Sequence, residues 1–239
     1  MALDEVLLEQ SIDSADSSRL VLRFYGWQPD AVSIGYGQRL APSRLDSIKD
    51  AGFDVIKRPT GGRAVLHSGE LTYSFVGHES LLGKSISSAY AKICSGLIAG
   101  FDKLGLSLTL GDSSSERGSY RDKEDCFMAI TTADLKLDSK KLVGSAQLRR
   151  GEWILQHGSI LLNQGQELMP ELLGSRIESN RHANLFDSLD SPISLSELTQ
   201  VISSGFEESF ECNFAVAELT GIEIEKAGKL KERYSLRIA

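Results

Sequence analysis

Apolar positions along the chain change between helix spacing and strand spacing in an irregular order. Residues 2–10 carry leucine and valine at near-helical spacing, which predicts a short opening helix. Residues 19–25 and 31–35 have the spacing of strands, and a turn at Gln28-Pro29-Asp30 separates them. Residues 43–51 suit a short surface helix. The beginning of the chain therefore mixes both kinds of element.

The following stretch contains the clearest helix pattern of the sequence. A strand that begins near Phe53 leads into a glycine-rich turn at residues 59–63. Apolar and polar positions alternate in residues 71–75, which predicts a half-buried strand with Tyr73 pointing inward. Apolar side chains recur every three or four positions in residues 85–104, so we expect a long amphipathic helix there.

A strongly polar segment comes next. Residues 111–125 contain no aliphatic side chain, and we expect a mobile loop because such a segment cannot bury itself. Strand patterns resume in residues 133–137, 142–148 and 153–162. The break at residues 138–140 has the composition of a hairpin turn. Several neighbouring strands are therefore expected in this half of the chain.

Residues 194–239 form a helical C-terminal end in this interpretation. Ser194 with Glu197 makes a capping box ahead of an apolar pattern, and Thr220 with Glu223 repeats it. No internal repeat, low-complexity tract or convincing linker interrupts the 239 residues. We therefore predict a single α+β domain without an accessory domain.

Composition narrows the class of protein. Of the residues, 41% are hydrophobic and 25% are charged, which excludes collagen-like, purely coiled-coil and wholly disordered chains. The net charge of -7 argues against a general nucleic-acid binder. Three cysteines argue against a disulfide framework and for a reducing compartment. With no signal-peptide pattern and no apolar run near ~20 residues, we expect a cytoplasmic protein that does not enter membranes.

The first candidate site is the run Arg58-Pro-Thr-Gly-Gly-Arg-Ala-Val-Leu-His67. Adjacent glycines allow close approach of a ligand and expose backbone N–H groups, while Arg58 and Arg63 can hold an anion. The alternative is an ordinary Gly-Gly hairpin turn with solvated arginines. Spacing does not separate these two interpretations.

A second candidate lies in two later strands. The segment Lys140-Lys-Leu-Val-Gly-Ser-Ala-Gln147 places a lysine charge beside small residues, or it is an edge strand protected by lysines. His157 interrupts an apolar strand, where a lone histidine is more often structural than catalytic. No cluster of His, Cys, Asp and Glu has the spacing of metal ligands, so no metal site is predicted.

The three cysteines differ in their surroundings. Cys94 and Cys212 follow apolar helix faces and are interpreted as small buried hydrophobes. Cys126 lies at the edge of the polar segment and is a candidate nucleophile. Its acidic neighbours at 124–125 disfavour a thiolate, so a cation from elsewhere, such as Lys141, would have to offset them. Sequence leaves reactive and inert cysteine equally open.

Six segments in this order resemble motifs of the biotin/lipoate ligase-like catalytic domain superfamily, in its lipoate-ligase and octanoyltransferase branch. The segments are Met1-Ala-Leu-Asp-Glu5, Ser33-Ile-Gly-Tyr-Gly-Gln38, the Arg58–His67 run, Leu71-Thr-Tyr-Ser74, Lys141-Leu-Val-Gly-Ser-Ala-Gln147 and Gln156-His-Gly-Ser159. The resemblance implies a class II aminoacyl-tRNA synthetase-like fold of mixed, mainly antiparallel sheets flanked by helices.

Two activities compete within that branch. Octanoyltransferases pass an acyl chain through a cysteine thioester without a cofactor, whereas lipoate ligases use ATP and Mg²⁺ to make a lipoyl-adenylate. Cys126-Phe127 is similar to the cysteine element of the ligase-like octanoyltransferases, and the length leaves no room for the accessory domain of many ligases. The resemblance therefore implies an octanoyltransferase. An ATP-dependent lipoate ligase is the alternative, followed by a non-catalytic acyl-binding module.

The resemblance also implies roles for residues. Cys126 attacks the acyl carbonyl, Lys141 stabilises the thiolate and the oxyanion, and Lys141 or His157 manages the proton. The acyl chain lies in a slot lined by Gly35, Tyr36, Gly61, Gly62 and Tyr73. The further substrate-binding residues implied are Arg58, Arg63, His67, Gly144, Ser145, Ala146, His157 and Gly158.

The implied partners are proteins. The donor is octanoyl-acyl carrier protein, and the acceptor is a lipoyl domain of glycine cleavage H protein or of a 2-oxoacid dehydrogenase E2. We expect a monomer that binds neither nucleic acid nor membrane. Because such partners are commonly acidic, docking would use local basic residues such as Lys57, Arg58, Arg149 and Arg150.

Overall fold

The computed structural model describes residues 1–111, 134–174 and 182–235. Its strands are β1 (Val21–Tyr25), β2 (Ala31–Ile34), β3 (Asp54–Lys57), β4 (Val65–His67), β5 (Glu70–His78), β6 (Thr109–Leu110), β7 (Leu135–Leu137), β8 (Lys140–Arg150) and β9 (Trp153–Leu161). Its helices are α1 (Ala2–Ser14), α2 (Pro42–Asp50), α3 (Glu79–Leu82), α4 (Ile86–Asp102), a 3₁₀ turn (Gln164–Leu168), α5 (Met169–Leu172), α6 (Leu185–Ser188), α7 (Leu195–Phe210) and α8 (Gly221–Tyr234).

The strands form two sheets. The larger sheet has the order β1-β5-β9-β8-β7-β6, and its neighbouring strands are antiparallel. The smaller sheet has the order β3-β2-β4, with β3 parallel and β4 antiparallel to β2. This confirms the predicted α+β fold of mixed, mainly antiparallel sheets flanked by helices. In the described ranges, no helix is long and apolar enough to cross a membrane.

The main core lies between the large sheet and helices α4 and α7. Phe75 of β5 stacks on Phe206 of α7, with 5.1 Å between the ring centroids. On the opposite face of the sheet, Leu8 of α1 packs with Val76. Strand β5 is therefore buried on both faces, and the prediction of a half-buried strand is wrong, although Tyr73 does point inward.

Local patterns predicted most element boundaries. Both capping boxes are present at the starts of α7 and α8. Asp138 and Ser139 both have positive φ in the turn between β7 and β8, as the hairpin prediction requires. Strand β8 lies between β9 and β7, so the edge-strand interpretation of its lysines is wrong. Ile86 begins the apolar pattern of residues 85–104, but its side chain is 63% exposed at the start of α4.

Helices α4 and α7 approach so closely that glycine backbones are in contact. A Cβ atom added to Gly205 of α7 would lie 2.2 Å from the backbone N of Gly100 in α4. A Cβ on Gly100 would lie 2.8 Å from the Cα of Ile202. Real side chains do not tolerate such distances, and backbone cannot move aside as a flexible side chain can. These glycines therefore set the spacing of the helix pair.

Gly205→Ala should lower the free energy of unfolding by about 2 kcal/mol, because overpacking a close contact costs roughly 1–3 kcal/mol. Gly228→Ala is the matched control, since Gly228 lies on α8 with no atom within 4 Å of an added Cβ. There the better helix propensity of alanine should stabilise by up to ~1 kcal/mol. Urea unfolding of both variants measures the difference, and equal effects would contradict the close-packing argument.

Candidate active site

A cavity lies where the two sheets meet. The small sheet supplies one wall through β2 and β4, and the large sheet supplies the other through β5, β8 and β9. Its lining residues are Met1, Ser33, Arg58, Gly62, Val65, His67, Thr72, Asp134, Lys141, Gly144, Ser145, Ala146, His157, Gly158 and Ser159. Most of the residues predicted to bind substrate therefore surround one space.

Arg58 holds the glycine loop in shape. Its Nε and Nη2 donate to the Gly61 carbonyl oxygen at 3.1 and 2.9 Å, and Nη2 also donates to that of Arg63 at 2.6 Å. Its Nη1 donates to the carbonyl oxygen and Oγ of Ser33 at 3.1 Å each. The side chain is buried, and these donors face protein oxygens rather than an anion. The interpretation of a solvated arginine in a simple turn is wrong for Arg58.

Two glycines let this loop touch the end of β2. Gly62 has φ of 89°, in the region that favours glycine. A Cβ on Gly35 would lie 2.0 Å from the Gly62 carbonyl oxygen. Gly35, Gly61 and Arg63 are not among the lining residues of the described cavity, and Tyr36 is 70% exposed beside Lys57. Their predicted contacts with substrate remain predictions.

A buried ion pair lines the cavity on the side of the large sheet. Lys141 Nζ lies 3.0 Å from Asp134 Oδ1, and the side chains are 1% and 2% exposed. A carboxylate at this distance favours the ammonium form of the lysine. The backbone oxygen of Lys141 accepts a hydrogen bond from the Ala183 N–H at 2.9 Å. Lys141 is thus a fixed positive charge beside the small residues that follow it in β8.

A chain of side-chain hydrogen bonds leads from the sheet to the cavity. Gln147 Nε2 donates to Gln156 Oε1 at 2.8 Å, and Gln156 Nε2 donates to the Tyr73 hydroxyl at 2.6 Å. The Tyr73 hydroxyl in turn bonds to Ser145 Oγ at 2.7 Å. A Cβ on Gly158 would lie 2.6 Å from Tyr73 Cε1, so glycine is required where the ring crosses β9. Tyr73 thereby orients Ser145 at the wall of the cavity.

The described cysteines are unreactive in character. Burial, together with a smaller contribution from the nearby Asp134 carboxylate, raises the pKa of the Cys94 thiol to about 12. Cys94 is fully buried, as predicted, whereas Cys212 is only half-buried because it follows the end of α7. Cys126 and the predicted mobile loop after Gly111 lie outside the described residues.

His157 is held between the glycine loop and helix α1. Its Nε2 lies 2.6 Å from Thr60 Oγ1, and its Nδ1 lies 3.8 Å from Asp4 Oδ2. Asp4 also accepts hydrogen bonds from Arg23 Nη1 and the Tyr25 hydroxyl, both at 2.8 Å. Sequence reasoning did not single out Thr60 or Asp4 as site residues, although both lie inside the motifs that carry the resemblance.

Burial and neighbouring charges set the ionisation states of Asp4 and His157. Burial would raise the pKa of Asp4, but the ammonium of Met1, His157 and Arg23 hold it well below its usual range. Burial lowers the pKa of His157, and the adjacent Asp4 carboxylate offsets this only in part. Asp4 is therefore ionised and His157 neutral at neutral pH.

A second histidine network lines the cavity on the side of the small sheet. His67 Nε2 lies 2.7 Å from Ser33 Oγ, and His67 Nδ1 lies 2.9 Å from Glu70 Oε1. Thr72 Oγ1 donates to the same Glu70 oxygen at 2.5 Å, and Trp27 Nε1 donates to Thr72 Oγ1 at 2.8 Å. Sequence reasoning found His67 but missed its partners: Ser33 begins one of the motifs that carry the resemblance, and Glu70 lies in none of them.

The arginines expected to dock partners are engaged within the chain. Arg149 pairs with Glu79 at 3.3 Å and donates to the Gly83 carbonyl oxygen at 3.2 Å. Arg150 pairs with Glu5 at 2.8 Å and with Glu9 at 3.2 Å. Arg58 is buried, whereas the Arg150 side chain is 40% exposed, and docking through Lys57, Arg58, Arg149 and Arg150 stays a prediction. Across the described ranges, no three His, Cys, Asp or Glu side chains are grouped as metal ligands would be.

The chain belongs to the lipoyl protein ligase A/B catalytic domain family, which matches residues 1–207. It is 36% identical to octanoyltransferase LipM of Carboxydothermus hydrogenoformans, over 99% of this chain and 91% of that protein. It is 33% identical to octanoyltransferase LipM of Staphylococcus aureus, over 98% and 90%.

Solved structures agree on the fold. Lipoate-protein ligase A bound with ATP is 25% identical, with a TM-score of 0.78 over 97% of this chain and 88% of that chain. A second structure comes from a study of a bipartite lipoate protein ligase and its E2 lipoyl domain from Thermoplasma acidophilum. It is 24% identical, with a TM-score of 0.73 over 97% of this chain and 86% of that chain. The predicted superfamily and fold are confirmed, and the predicted enzyme class, octanoyltransferase, is that of the curated relatives.

The neutral state of His157 predicts a loss of stability in acid. The unfolded chain takes up a proton near the ordinary pKa of 6.5, whereas the folded chain resists it. Because the unfolded state then binds more protons, the free energy of unfolding should fall between about pH 7 and pH 5, by at most ~1.4 kcal/mol per pH unit for this group. His157→Gln should flatten that fall. Urea unfolding across this range measures it, and an unchanged slope would disprove a neutral buried imidazole.

Proposed function

We propose that this chain is an octanoyltransferase of protein lipoylation that acts in the cytoplasm without a bound cofactor. It moves an octanoyl group from a carrier-protein thioester to Cys126 and then to the acceptor lysine of a lipoyl domain. The observation that carries the proposal is the buried Lys141–Asp134 ion pair at the cavity. Near-full-length similarity to octanoyltransferases supports it.

In the first half-reaction the Cys126 thiolate attacks the carbonyl of the donor thioester. The new C–S bond forms as the carrier thiolate leaves, so one thioester replaces another and no energy input is needed. Lys141 is the cation that stabilises the Cys126 thiolate and the oxyanion of the intermediate. Because Asp134 holds it charged, Lys141 acts here through its field rather than as a proton acceptor.

The glycines and small residues around the cavity suit an acyl chain. Gly144 pairs with Ser159 and Ser145 pairs with Gly158 across β8 and β9, and these small residues line the cavity together with Ala146. In the second half-reaction the acceptor amine replaces the thiolate. The thioester is converted into a more stable amide, which makes the transfer favourable without ATP.

An ATP-dependent lipoate ligase is the second candidate. The observation in its favour is the fold similarity to a ligase bound with ATP over 97% of this chain. In that case Lys141 would contact the adenylate phosphate and the acyl carbonyl, and the glycine loop would approach the ligand. ATP and Mg²⁺ would then be required.

The deciding experiment is transfer from octanoyl-acyl carrier protein to a lipoyl domain without ATP. Wild type should transfer the group and show an octanoyl adduct on Cys126 by mass spectrometry, and Cys126→Ser should do neither. Full activity of Cys126→Ser would disprove the thioester route. Lipoate-dependent release of pyrophosphate from ATP would favour the ligase, and octanoate binding without turnover would favour a non-catalytic module.

Asp134→Asn should slow transfer by about 100-fold, because it removes the partner of a buried ammonium and weakens the electrostatic stabilisation of the oxyanion. The free energy of unfolding should also fall, by ~3 kcal/mol. Asp138→Asn is the matched control: the residue is exposed in the adjoining turn, and asparagine tolerates its positive φ. Single-turnover rates and urea unfolding measure both, and normal transfer by Asp134→Asn would contradict this role.

A further inference from the structure

The second half-reaction requires a group that takes a proton from the acceptor lysine. A lysine ammonium has no lone pair with which to attack a thioester, so it must first lose a proton. Formation of the amide then releases a second proton from the same nitrogen. The inference below rests on the proposed transferase function and identifies where the first proton goes.

Two residues expected to manage this proton are poorly placed for it. Lys141 is itself an ammonium ion paired with Asp134, so its Nζ has no lone pair that could accept a proton. His157 uses Nε2 in its contact with Thr60. Its nearest carboxylate, Asp4, is 3.8 Å away and is already bonded to Arg23 and Tyr25. Neither residue combines an accessible lone pair with a closely bound counter-charge.

His67 has both properties. A carboxylate can only accept, so the 2.9 Å contact with Glu70 places a proton on His67 Nδ1 and leaves a lone pair on Nε2. Arg58 can only donate, so its bond to Ser33 Oγ requires the Ser33 hydroxyl hydrogen to point elsewhere. The partner at 2.7 Å is His67 Nε2. These bonds therefore fix the tautomer of the neutral His67 ring and point the Ser33 hydroxyl hydrogen at its Nε2.

The network is built to accept a positive charge. Glu70 Oε2 is buried and has no hydrogen-bond partner in the described part of the chain. The negative charge of this carboxylate is therefore available to stabilise an imidazolium at His67. The Trp27 ring stacks on the His67 ring with centroids 4.1 Å apart, a geometry that also favours a cation. The Arg58 guanidinium also faces this network, through its bond to Ser33 Oγ. Lys141 and His157 line the cavity from β8 and β9.

We propose that Ser33, His67 and Glu70 form a proton relay that activates the acceptor lysine. Ser33 Oγ has two lone pairs, and Arg58 occupies one of them. The acceptor ammonium donates to the other, its proton moves to Ser33 Oγ as the Ser33 hydroxyl proton moves to His67 Nε2, and Glu70 stabilises the imidazolium.

The protons and bonds of the step balance. The freed amine attacks the acyl carbonyl, the C–N bond forms, and the C–S bond to Cys126 breaks. The second proton of the nitrogen ends on the Cys126 sulfur, and His67 returns the first to solvent. Ser33 is the group that touches the substrate, and His67 and Glu70 act through it.

The relay serves discharge of the acyl-enzyme and not its formation, and this separates it from a structural role. In His67→Gln, formation of the octanoyl adduct on Cys126 should keep its rate, while discharge to a lipoyl domain should slow by about 100-fold. In wild type the discharge rate should rise with pH and then level off, because the relay deprotonates the acceptor ammonium. In His67→Gln it should continue to rise with pH. Rapid-quench mass spectrometry follows both steps.

Two comparisons make the test specific. Hydroxylamine is largely unprotonated at neutral pH and needs no base, so it should discharge wild type and His67→Gln equally. In His157→Gln the discharge rate should still level off at high pH, as it does in wild type. His78 lies outside the cavity, so His78→Gln should change neither adduct formation nor discharge. If His67→Gln does not fold by circular dichroism, Ser33→Ala should show the same loss of discharge.

Three results would overturn the relay. One is a discharge rate and pH profile in His67→Gln equal to those of wild type. Another is an equal loss in both half-reactions with hydroxylamine discharge also slowed, which indicates a structural role. The third, no adduct on Cys126 in wild type, would remove the transferase function itself and is recognised before any variant is compared.

Discussion

A buried ammonium group needs a carboxylate beside it, and the Lys141–Asp134 pair meets this requirement at the centre of the molecule. Removing an ion from water costs several kcal/mol, so Lys141 is stable in this position because Asp134 accompanies it. The turn at Asp138 and Ser139 folds β7 back onto β8 and brings the two charges together. The hairpin, the ion pair and the cavity they line therefore depend on one another.

Glycine supplies the second constraint, because Cβ atoms added at Gly35, Gly62 and Gly158 would lie 2.0, 2.7 and 2.6 Å from neighbouring atoms. Gly35 and Gly62 bring the end of β2 against the glycine loop, and Gly158 accommodates the Tyr73 ring. The first two glycines shape the small-sheet side of the site, and Gly158 shapes the large-sheet side. The small residues are thus part of the architecture of the site, whether or not each one touches a ligand.

Periodicity and capping signals predicted the elements well, because they are local. The strands, the long α4 helix and both capping boxes follow from residues a few positions apart. Motif resemblance also brought His67, Lys141 and His157 into one site. The partners of these residues could not be predicted, because 34 positions separate Ser33 from His67 and 97 separate Thr60 from His157. Such pairs meet only when β2, β4 and β9 are assembled.

Assembly also explains why the two cavity histidines differ, although both contact a hydroxyl group. His157 is buried beside a carboxylate that Arg23 and Tyr25 already neutralise, so the protein resists its protonation. His67 is bonded directly to Glu70, whose second oxygen is buried with no partner in the described ranges. The His157 side of the cavity therefore gains no second positive charge beside Lys141. The small-sheet side, with His67 and Glu70, can take up the proton that the acceptor ammonium loses when it becomes a nucleophilic amine.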